Sequence, residues 1–217
     1  MSLVVLVPML GRPHTVTPLL ESIRETCTAR VLFLLTPGDD DVAAAVAADE
    51  YLYVERQERG DYARKINHGI VATTEEHIFT GACDLRFHPG WYEAALAKLG
   101  PGIGVVGTND LGNRGTITGR HATHMLVTRS YVEEFGTIDE PGKFYHEGYP
   151  HELVDDEAVQ TARARGALAH ASQSIVEHLH PLWGKAEWDD VYEAIPGRIR
   201  AGQRLFAERR KLWRRLT

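Results

Sequence analysis

Short runs of apolar residues alternate with helical stretches through the first half of this chain. The runs at 3–7 and 29–35 have the length of a strand and are apolar throughout, as strands buried on both faces are. A third, shorter run follows at 51–54. Between the runs lie a helical stretch at 15–26 and an Ala-rich one at 42–48, headed by acids that suit a helix N-terminus. This alternation predicts an α/β fold with a mostly parallel central sheet flanked by helices.

A helix with one apolar face follows the third run. Tyr62, Ile66 and Ile70 fall at helical spacing and predict a face turned toward the core. The other faces carry Arg64, Lys65, Asn67 and His68. We interpret these faces as solvated, and contact between the basic residues and phosphate is the alternative.

Candidate chemistry concentrates at residues 76–91. An apolar run at 78–80 predicts another strand, and small residues lead from it to Asp84. A carboxylate at the carboxyl end of such a strand lies where open α/β sheets bind ligands. Because hard oxygen atoms suit Mg²⁺ or Mn²⁺, Asp84 could bridge a cation to a diphosphate. The alternative is that Asp84 caps the turn that precedes a helix at 91–99.

The second half of the chain is less regular. Further strands are predicted at 102–107 and 121–128, and a helix at 153–166. Residues 138–152 are rich in Gly, Pro, Tyr and His and lack periodicity. We predict a long loop there, and long loops in compact domains are often functional. From residue 188 onward the pattern is mostly helical.

Two groups of polar residues in this half are candidates for chemistry. The helix at 153–166 begins with the acids Asp155, Asp156 and Glu157. Acids at a helix start usually cap it, but a carboxylate there can also act as a base. His178 and His180 share a face if the chain is extended there. They could flank a metal ion or be ordinary surface residues.

Composition divides the chain into two parts. The 217 residues suit one domain with a full core. Residues 196–217 contain eight basic residues and one acid, a net charge of +7, so residues 1–195 carry −13. We therefore predict an acidic single domain at 1–195 and a basic, amphipathic helical tail at 196–217.

Several classes of protein do not fit this sequence. No apolar run reaches 18 residues, which argues against a membrane span, and no basic segment precedes the first apolar run as in a signal peptide. Cys27 and Cys83 have neither a disulfide pattern nor a metal-ligand spacing, so we expect a cytoplasmic protein. The Gly-rich dinucleotide motif and the phosphate-binding P-loop are both absent after the first strand.

Taken in order, these features resemble a GT-A-type glycosyltransferase of the family 2 kind, particularly the short soluble members found in phage genomes. The resemblance rests on motifs in five places. They are strand-Pro-x-x-x-Arg at 7–12, Tyr-x-x-Lys-x-Asn at 62–67, Cys-Asp-x-Arg-Phe-x-Pro-Gly-Trp at 83–91, the acids at 155–157, and Glu-His-x-His-Pro at 177–181.

The resemblance implies a Rossmann-like GT-A fold with a nucleotide-sugar half at about 1–110 and an acceptor half at 111–195. It places Mn²⁺ or Mg²⁺ on Asp84, helped by His178 or His180, and host cytoplasm is the expected location if the protein is phage-encoded. Cys83 stands where relatives often have another Asp. The residues implied in binding the nucleotide sugar are Pro8, Arg12, Thr36, Lys65, Asn67 and Asp84.

The resemblance also implies the reaction. A sugar would move from a UDP- or GDP-linked donor to a hydroxyl acceptor on a protein, a modified DNA base or a glycan, with inversion. Asp155 matches the catalytic base, and Asp156 and Glu157 remain rivals because Val154 replaces the usual Glu.

Two other functions are weighed against this one. A sugar nucleotidyltransferase normally has a Gly-rich, basic loop directly after the first strand, and residues 11–13 are a poor version of it. A non-catalytic module could use the basic tail on nucleic acid or an anionic membrane surface. The simpler interpretation is that the tail packs its apolar side chains on the body or on a second subunit, as a homodimer would.

Overall fold

The computed structural model describes residues 2–54, 61–149 and 151–215, with side chains as far as 213. Within these residues one eight-stranded sheet runs through the molecule, in the order β3-β2-β1-β4-β7-β6-β8-β5. The strands are β1 (Leu3–Pro8), β2 (Arg30–Leu35), β3 (Tyr51–Tyr53), β4 (His77–Thr80), β5 (Leu85–Phe87), β6 (Val105–Asn109), β7 (Met125–Thr128) and β8 (Leu168–His178).

Helices cover both faces of this sheet. Short 3-10 turns at Pro13–Thr15, Pro181–Trp183 and Arg210–Arg215 accompany them. The α-helices are α1 (Val16–Thr26), α2 (Asp40–Ala45), α3 (Tyr62–Val71), α4 (Trp91–Leu96), α5 (Arg114–Ile117), α6 (Arg129–Glu134), α7 (Val154–Ala164), α8 (Asp190–Glu193) and α9 (Ile195–Arg209).

The sheet is mostly parallel, as the sequence predicts. β3, β2, β1 and β4 run parallel to one another, and β6 runs parallel to β8. β7 lies antiparallel between β4 and β6, and β5 is antiparallel to β8 at the edge. The carboxyl ends of β1, β2 and β4 therefore meet at one edge of the sheet, where open α/β sheets bind ligands.

Two apolar cores form because successive side chains of each strand point to opposite faces. In β1, Val4 and Leu6 pack in the core that α3 and α7 cover, whereas Val5 and Val7 pack in the other. Trp91, fully buried, anchors α4 in the second core. The alternation of apolar runs and helices predicted this layered arrangement.

The polar faces of α3 match the prediction only in part, since His68 is exposed and Arg64 half-buried. Lys65 and Asn67 are each only 3% exposed, so these positions are not solvated. The Asn67 side chain donates to the Tyr145 carbonyl and accepts from the backbone N–H groups of Phe144 and Tyr145. Helical periodicity registers apolar residues only, and it misses a polar side chain whose partners lie in a distant loop.

The segment at 138–152, predicted as a long loop, contains no regular helix or strand in its described part. It is nevertheless packed, because Tyr145 and Tyr149 are 1% and 2% exposed. Its anchorage by Asn67 explains how an irregular segment can form a fixed wall of the molecule.

The described part of the basic tail packs against the body. Arg209 of α9 is 9% exposed and pairs with Glu157 of α7 and with Asp139. Beyond it, the Trp213 indole N–H donates to the Thr161 hydroxyl at 2.9 Å. Residues 216 and 217 of the predicted tail lie outside the described residues. Among the helices that are described, none combines the length and apolar character that crossing a membrane requires.

We predict that Arg209→Ala lowers the free energy of unfolding by about 3 kcal/mol, because it leaves the buried Glu157 carboxylate without its charge partner. Urea denaturation monitored by circular dichroism measures this. The exposed neighbouring residue Arg210 provides a matched control, and its substitution by Ala should change stability by less than about 0.5 kcal/mol. Equal effects of the two substitutions would contradict the proposed anchoring role.

Candidate functional site

A cavity of about 170 Å³ opens at the carboxyl edge of the sheet. Pro8 ends β1, Thr36 follows β2 and Asp84 follows β4, and all three line it. The remaining walls come from α3, the segment before β7, the irregular segment before α7, the end of β8 and the segment around α8. Of the residues predicted from sequence, the cavity wall includes Pro8, Arg12, Thr36, Lys65, Asp84, Asp155, His178 and His180.

Asp84 is the most heavily bonded acid on this wall. Its Oδ2 accepts a hydrogen bond from the Tyr192 hydroxyl at 2.7 Å and one from the Arg12 guanidinium at 3.3 Å. The same oxygen lies 3.4 Å from His178 Nε2. The pairing of Leu85 with His178 between β5 and β8 brings this histidine beside Asp84.

These partners set the ionisation of Asp84. Burial alone would raise the pKa of its carboxyl group, but the charge and hydrogen bond of His178, the Tyr192 hydroxyl and Arg12 together lower that pKa well below its usual range. Burial opposes protonation of His178 in turn, and Asp84 outweighs it, so the pKa of His178 is raised. Asp84 is therefore held as a carboxylate.

The second oxygen of this carboxylate suits a cation. Asp84 Oδ1 is buried and has no hydrogen-bond partner among the described residues. A buried carboxylate oxygen without a partner is costly unless it binds a ligand. An ionised carboxylate oxygen is the kind of ligand that Mn²⁺ and Mg²⁺ prefer. The residues present thus fit a divalent cation.

His180 occupies a different environment from His178. It follows β8, and its Nδ1 accepts the backbone N–H of Leu182 at 3.1 Å. Its ring lies 5.1 Å from the ring of His178, centre to centre. Burial lowers the pKa of His180 to about 4, and the charge of His178 adds to this effect. His180 is thus a neutral neighbour whose Nδ1 is already engaged.

Arg12 links the first strand to the C-terminal part of the chain. Its backbone is left-handed (φ 61°), which is uncommon for a residue with a side chain. The guanidinium donates to both carboxylate oxygens of Asp189 at 2.7 Å and lies 3.8 Å from the centre of the Tyr192 ring. Sequence reasoning missed Asp189 and Tyr192, since their only local signal is that of an acid capping a short helix.

Lys65 forms part of the cavity floor. Its ammonium group donates to the Met9 carbonyl and, at 2.7 Å, to the Thr36 hydroxyl. These bonds hold together the segments that follow β1 and β2. Asn67, the other predicted residue of α3, is absent from the cavity wall and instead holds the 138–152 segment in place.

Asp155 lies on the cavity wall at the first turn of α7. Its Oδ2 lies 3.1 Å from His121 Nε2, and its Oδ1 accepts the backbone N–H of Asp156 at 3.0 Å. The Asp156 side chain is 43% exposed and does not line the cavity. Glu157 points elsewhere and is held by Arg209 and the Tyr149 hydroxyl. The structure therefore brings one of the three acids, Asp155, into the cavity.

Two further histidines that sequence reasoning did not single out also line the cavity, His124 and His151. His124 Nδ1 donates to the Thr80 carbonyl at 2.9 Å, because a carbonyl oxygen can only accept. Burial lowers the pKa of each to about 4. Both are neutral at physiological pH and can exchange hydrogen bonds with a ligand.

Comparison with solved structures identifies the fold. A mannosyltransferase from Pyrobaculum calidifontis, in complex with GDP-mannose and Mn²⁺, matches with a TM-score of 0.63 at 16% identity over 91% of this chain. The chain spans 60% of the length of that protein. Glucosyl-3-phosphoglycerate synthase from Mycobacterium tuberculosis, in complex with Mn²⁺ and UDP, matches with a TM-score of 0.66 at 14% identity, over 95% of this chain and 78% of that one.

The chain has the fold of these glycosyltransferases. The Rossmann-like GT-A architecture expected from the sequence motifs is thereby confirmed. No protein-family model matches the chain, and no curated protein matches its sequence. At identities this low the likeness concerns the fold, and activity must be argued from the site.

The lowered pKa of Asp84 predicts how the free energy of unfolding changes at acid pH. A carboxyl group whose pKa is lowered on folding contributes stability above its ordinary value of 3.8, and this contribution is lost as the pH falls below that value. Asp84→Asn should therefore lower the free energy of unfolding at pH 7 by about 2 kcal/mol. Compared with the wild-type protein, the variant should lose less additional stability between about pH 5 and pH 2. Chemical denaturation at each pH measures this free energy of unfolding.

The exposed Asp190 provides the control, and Asp190→Asn should leave the acid profile unchanged. If Asp84→Asn and the wild-type protein lose stability in parallel on acidification, the ionised state assigned to Asp84 is wrong.

Proposed function

We propose that this protein is a glycosyltransferase that moves a sugar from a nucleoside-diphosphate donor to a hydroxyl acceptor, with Mn²⁺ or Mg²⁺ and with inversion. The observation that carries the proposal is the ionised Asp84, whose buried Oδ1 has no partner among the described residues, in the same cavity as Asp155. The solved neighbours, which hold nucleotide-linked sugars and Mn²⁺, support the proposal.

The donor would lie over the carboxyl ends of β1, β2 and β4, in the half formed by residues 1–110. Pro8 and Thr36 flank the entrance for the nucleoside, and Lys65 holds their two segments together. Arg12 is a permanent cation on the cavity wall and can pair with a diphosphate oxygen. The GDP and UDP of the neighbours make a purine or a uracil base equally compatible with this half.

Asp84 Oδ1 would hold the cation, and His178 would join it through Nε2 once that nitrogen has released its proton. When bound there, a divalent cation neutralises the charge that develops on the departing diphosphate. Arg12 lies 3.3 Å from the other oxygen of Asp84 and adds a second positive charge beside the same position. The cluster thus stabilises a leaving group rather than a nucleophile.

Asp155 would act on the acceptor. The acceptor oxygen attacks the anomeric carbon as the bond from that carbon to the diphosphate breaks, and Asp155 takes the proton of the attacking hydroxyl. Attack from the face opposite the leaving group inverts the configuration of that carbon. Residues 111–195, which include the loop before α7, would form the acceptor half and shape the choice among protein, modified base and glycan.

The two alternative functions gain no specific support. The segment after β1 that a nucleotidyltransferase would use for phosphates, residues 9–13, contains a single Gly and a single basic residue. In the basic tail, Arg198 and Arg209 pair with acids of the body, which favours a packed tail over a surface for nucleic acid or membranes.

The proposal predicts nucleotide binding that depends on metal and on Asp84. Saturating UDP or GDP with Mn²⁺ should raise the melting temperature of the wild-type protein, because a ligand that binds only the folded state stabilises it. Chelation of the metal should remove most of this increase, and Asp84→Ala should remove it at the same nucleotide concentration. Differential scanning fluorimetry measures these shifts, and an unchanged melting temperature with every nucleoside diphosphate would contradict the proposal.

The proposal also predicts that Asp155→Asn lowers transfer by about 10²–10⁴-fold, the usual contribution of a positioned base. Nucleotide affinity, measured by titration calorimetry, should change by less than about threefold, since Asp155 is not a ligand of the donor. Asp156→Asn provides the matched control and should retain most activity. Turnover of Asp155→Asn near the wild-type rate would refute the base assignment, and NMR of the product's anomeric centre would test inversion.

A further inference from the structure

His121 lies outside every motif that the sequence analysis used. It sits in the segment between α5 and β7, where its backbone N–H donates to the Gly115 carbonyl at 3.1 Å. A side chain at position 115 would place its Cβ 3.0 Å from the Cβ of His121, so Gly115 leaves just enough room for this histidine. The segment thereby presents the ring of His121 to the first turn of α7.

Both nitrogens of the imidazole face carboxylates. Nε2 lies 3.1 Å from Asp155 Oδ2, and Nδ1 lies 3.7 Å from Asp156 Oδ1. An imidazole with an acid at each nitrogen is most stable when both nitrogens carry a proton, since only the imidazolium has two N–H donors. The side chains of His121 and Asp155 are 18% and 20% exposed, so solvent screens this pair only in part.

The charges around the pair support the imidazolium. Burial opposes protonation of His121, but the hydrogen bond and charge of Asp155 outweigh it, and Asp156 and Asp110 add to the effect. The pKa of His121 rises to about 9 as a result. Burial would also raise the pKa of Asp155, and the contacts with His121 and the Asp156 N–H lower it.

Other titratable groups face Asp155 from the neighbouring elements. They do not reverse this balance, because the two tyrosines stay neutral and the two histidines have pKa values of about 4. These groups are Tyr62, Tyr145, His124 and His151. Glu152 and His178 also face Asp155: the negative charge of Glu152 favours the imidazolium, and the positive charge of His178 favours the ionised form of Asp155.

We propose that His121 is a positioning residue, which as an imidazolium fixes the carboxylate of Asp155 in its ionised form and in one orientation toward the acceptor hydroxyl. This inference rests on the proposed role of Asp155 as the base. Each oxygen of Asp155 accepts one hydrogen bond, from His121 or from the Asp156 N–H, and keeps a lone pair for the acceptor proton. The bond to His121 makes Asp155 a weaker base, so the benefit is in orientation.

The pH dependence of the reaction follows from this arrangement. Below about pH 9 the imidazolium holds Asp155, and above it the neutral ring no longer donates from both nitrogens. We expect kcat/KM of the wild-type enzyme to fall at alkaline pH for this reason. Without His121, the pKa of Asp155 rises toward its ordinary value, so the acid limb of the profile moves to higher pH.

A first experiment needs neither donor nor acceptor. NMR titration of ¹³C-histidine-labelled protein should show one imidazole with a pKa near 9 that disappears in His121→Asn. In Asp155→Asn the same resonance should titrate at least about one unit lower, because its main charge partner is gone. Absence of a resonance that titrates above about pH 8 and is lost in His121→Asn would overturn the inference.

A second experiment follows kcat/KM against pH in wild-type protein and in His121→Asn, which keeps an amide donor but cannot be charged. We expect kcat to fall by about 10- to 100-fold, the usual cost of a misplaced catalytic group, with the KM for the donor nearly unchanged. In the pH profile of kcat/KM, the fall at alkaline pH should disappear, and the fall at acid pH should begin at a higher pH. His88→Asn is the matched control, since His88 also contacts a carboxylate, Glu177 at 3.2 Å, but does not line the cavity.

Failure of this inference is distinguishable from failure of the proposed function. If Asp155→Asn abolishes transfer and His121→Asn keeps the wild-type pH profile, only the role of His121 is refuted. If Asp155→Asn transfers normally, the base assignment itself is wrong. His121→Gln, checked for folding by circular dichroism, repeats the test at a different side-chain length.

The same three side chains could bind a metal ion in place of the proton on His121. The ligand atoms of His121, Asp155 and Asp156 lie within 4.8 Å of one another, a spacing that would also admit a metal ion. The NMR titration is therefore repeated with Mg²⁺ alone. If Mg²⁺ displaces the proton of His121 at neutral pH, the inference is overturned; an unchanged His121 resonance supports the imidazolium.

Discussion

The burial of the ionised Asp84 carboxylate constrains how this chain can fold around its cavity. An ionised carboxylate taken out of water costs several kcal/mol unless positive or hydrogen-bonding partners surround it. Here the partners come from three separate parts of the chain: Arg12 after β1, His178 at the end of β8, and Tyr192 in α8. The need to stabilise one acid therefore fixes the first strand, the last strand and the C-terminal segment against one another.

Arg12 extends this constraint to a second acid, because its guanidinium pairs with two carboxylates at once. Its guanidinium lies between Asp84 and Asp189 and against the Tyr192 ring. Its left-handed backbone is tolerated because these contacts hold the side chain in place. A bidentate arginine is also the side chain best suited to phosphate oxygens, so the group that stabilises the fold is the one that we propose to contact the donor.

The sequence could predict what depends on the local pattern of apolar residues and turns. It could not predict contacts between residues that lie far apart along the chain. The strands that lead to Pro8 and Asp84 follow from apolar runs bounded by turns, and the resemblance to GT-A enzymes implied one site for these residues and Asp155, which all line the cavity. Helical periodicity put Lys65 on a solvated face, since its partners follow two different strands, whereas the resemblance put it at the site. His121 was missed for a similar reason: it meets Asp155 across 34 residues, and no local spacing records that contact.

Asp84 and Asp155 show how one cavity can give two carboxylates different roles. Each is paired with a histidine, and each is held ionised by it. The difference lies in the second oxygen: Oδ1 of Asp155 accepts the Asp156 N–H, whereas Oδ1 of Asp84 has no partner among the described residues. An open, buried carboxylate oxygen favours a cation, which needs several oxygen ligands, whereas a carboxylate with both oxygens bonded is oriented for a single proton transfer. The hydrogen bonding therefore supports the proposed roles of Asp84 as metal ligand and of Asp155 as base.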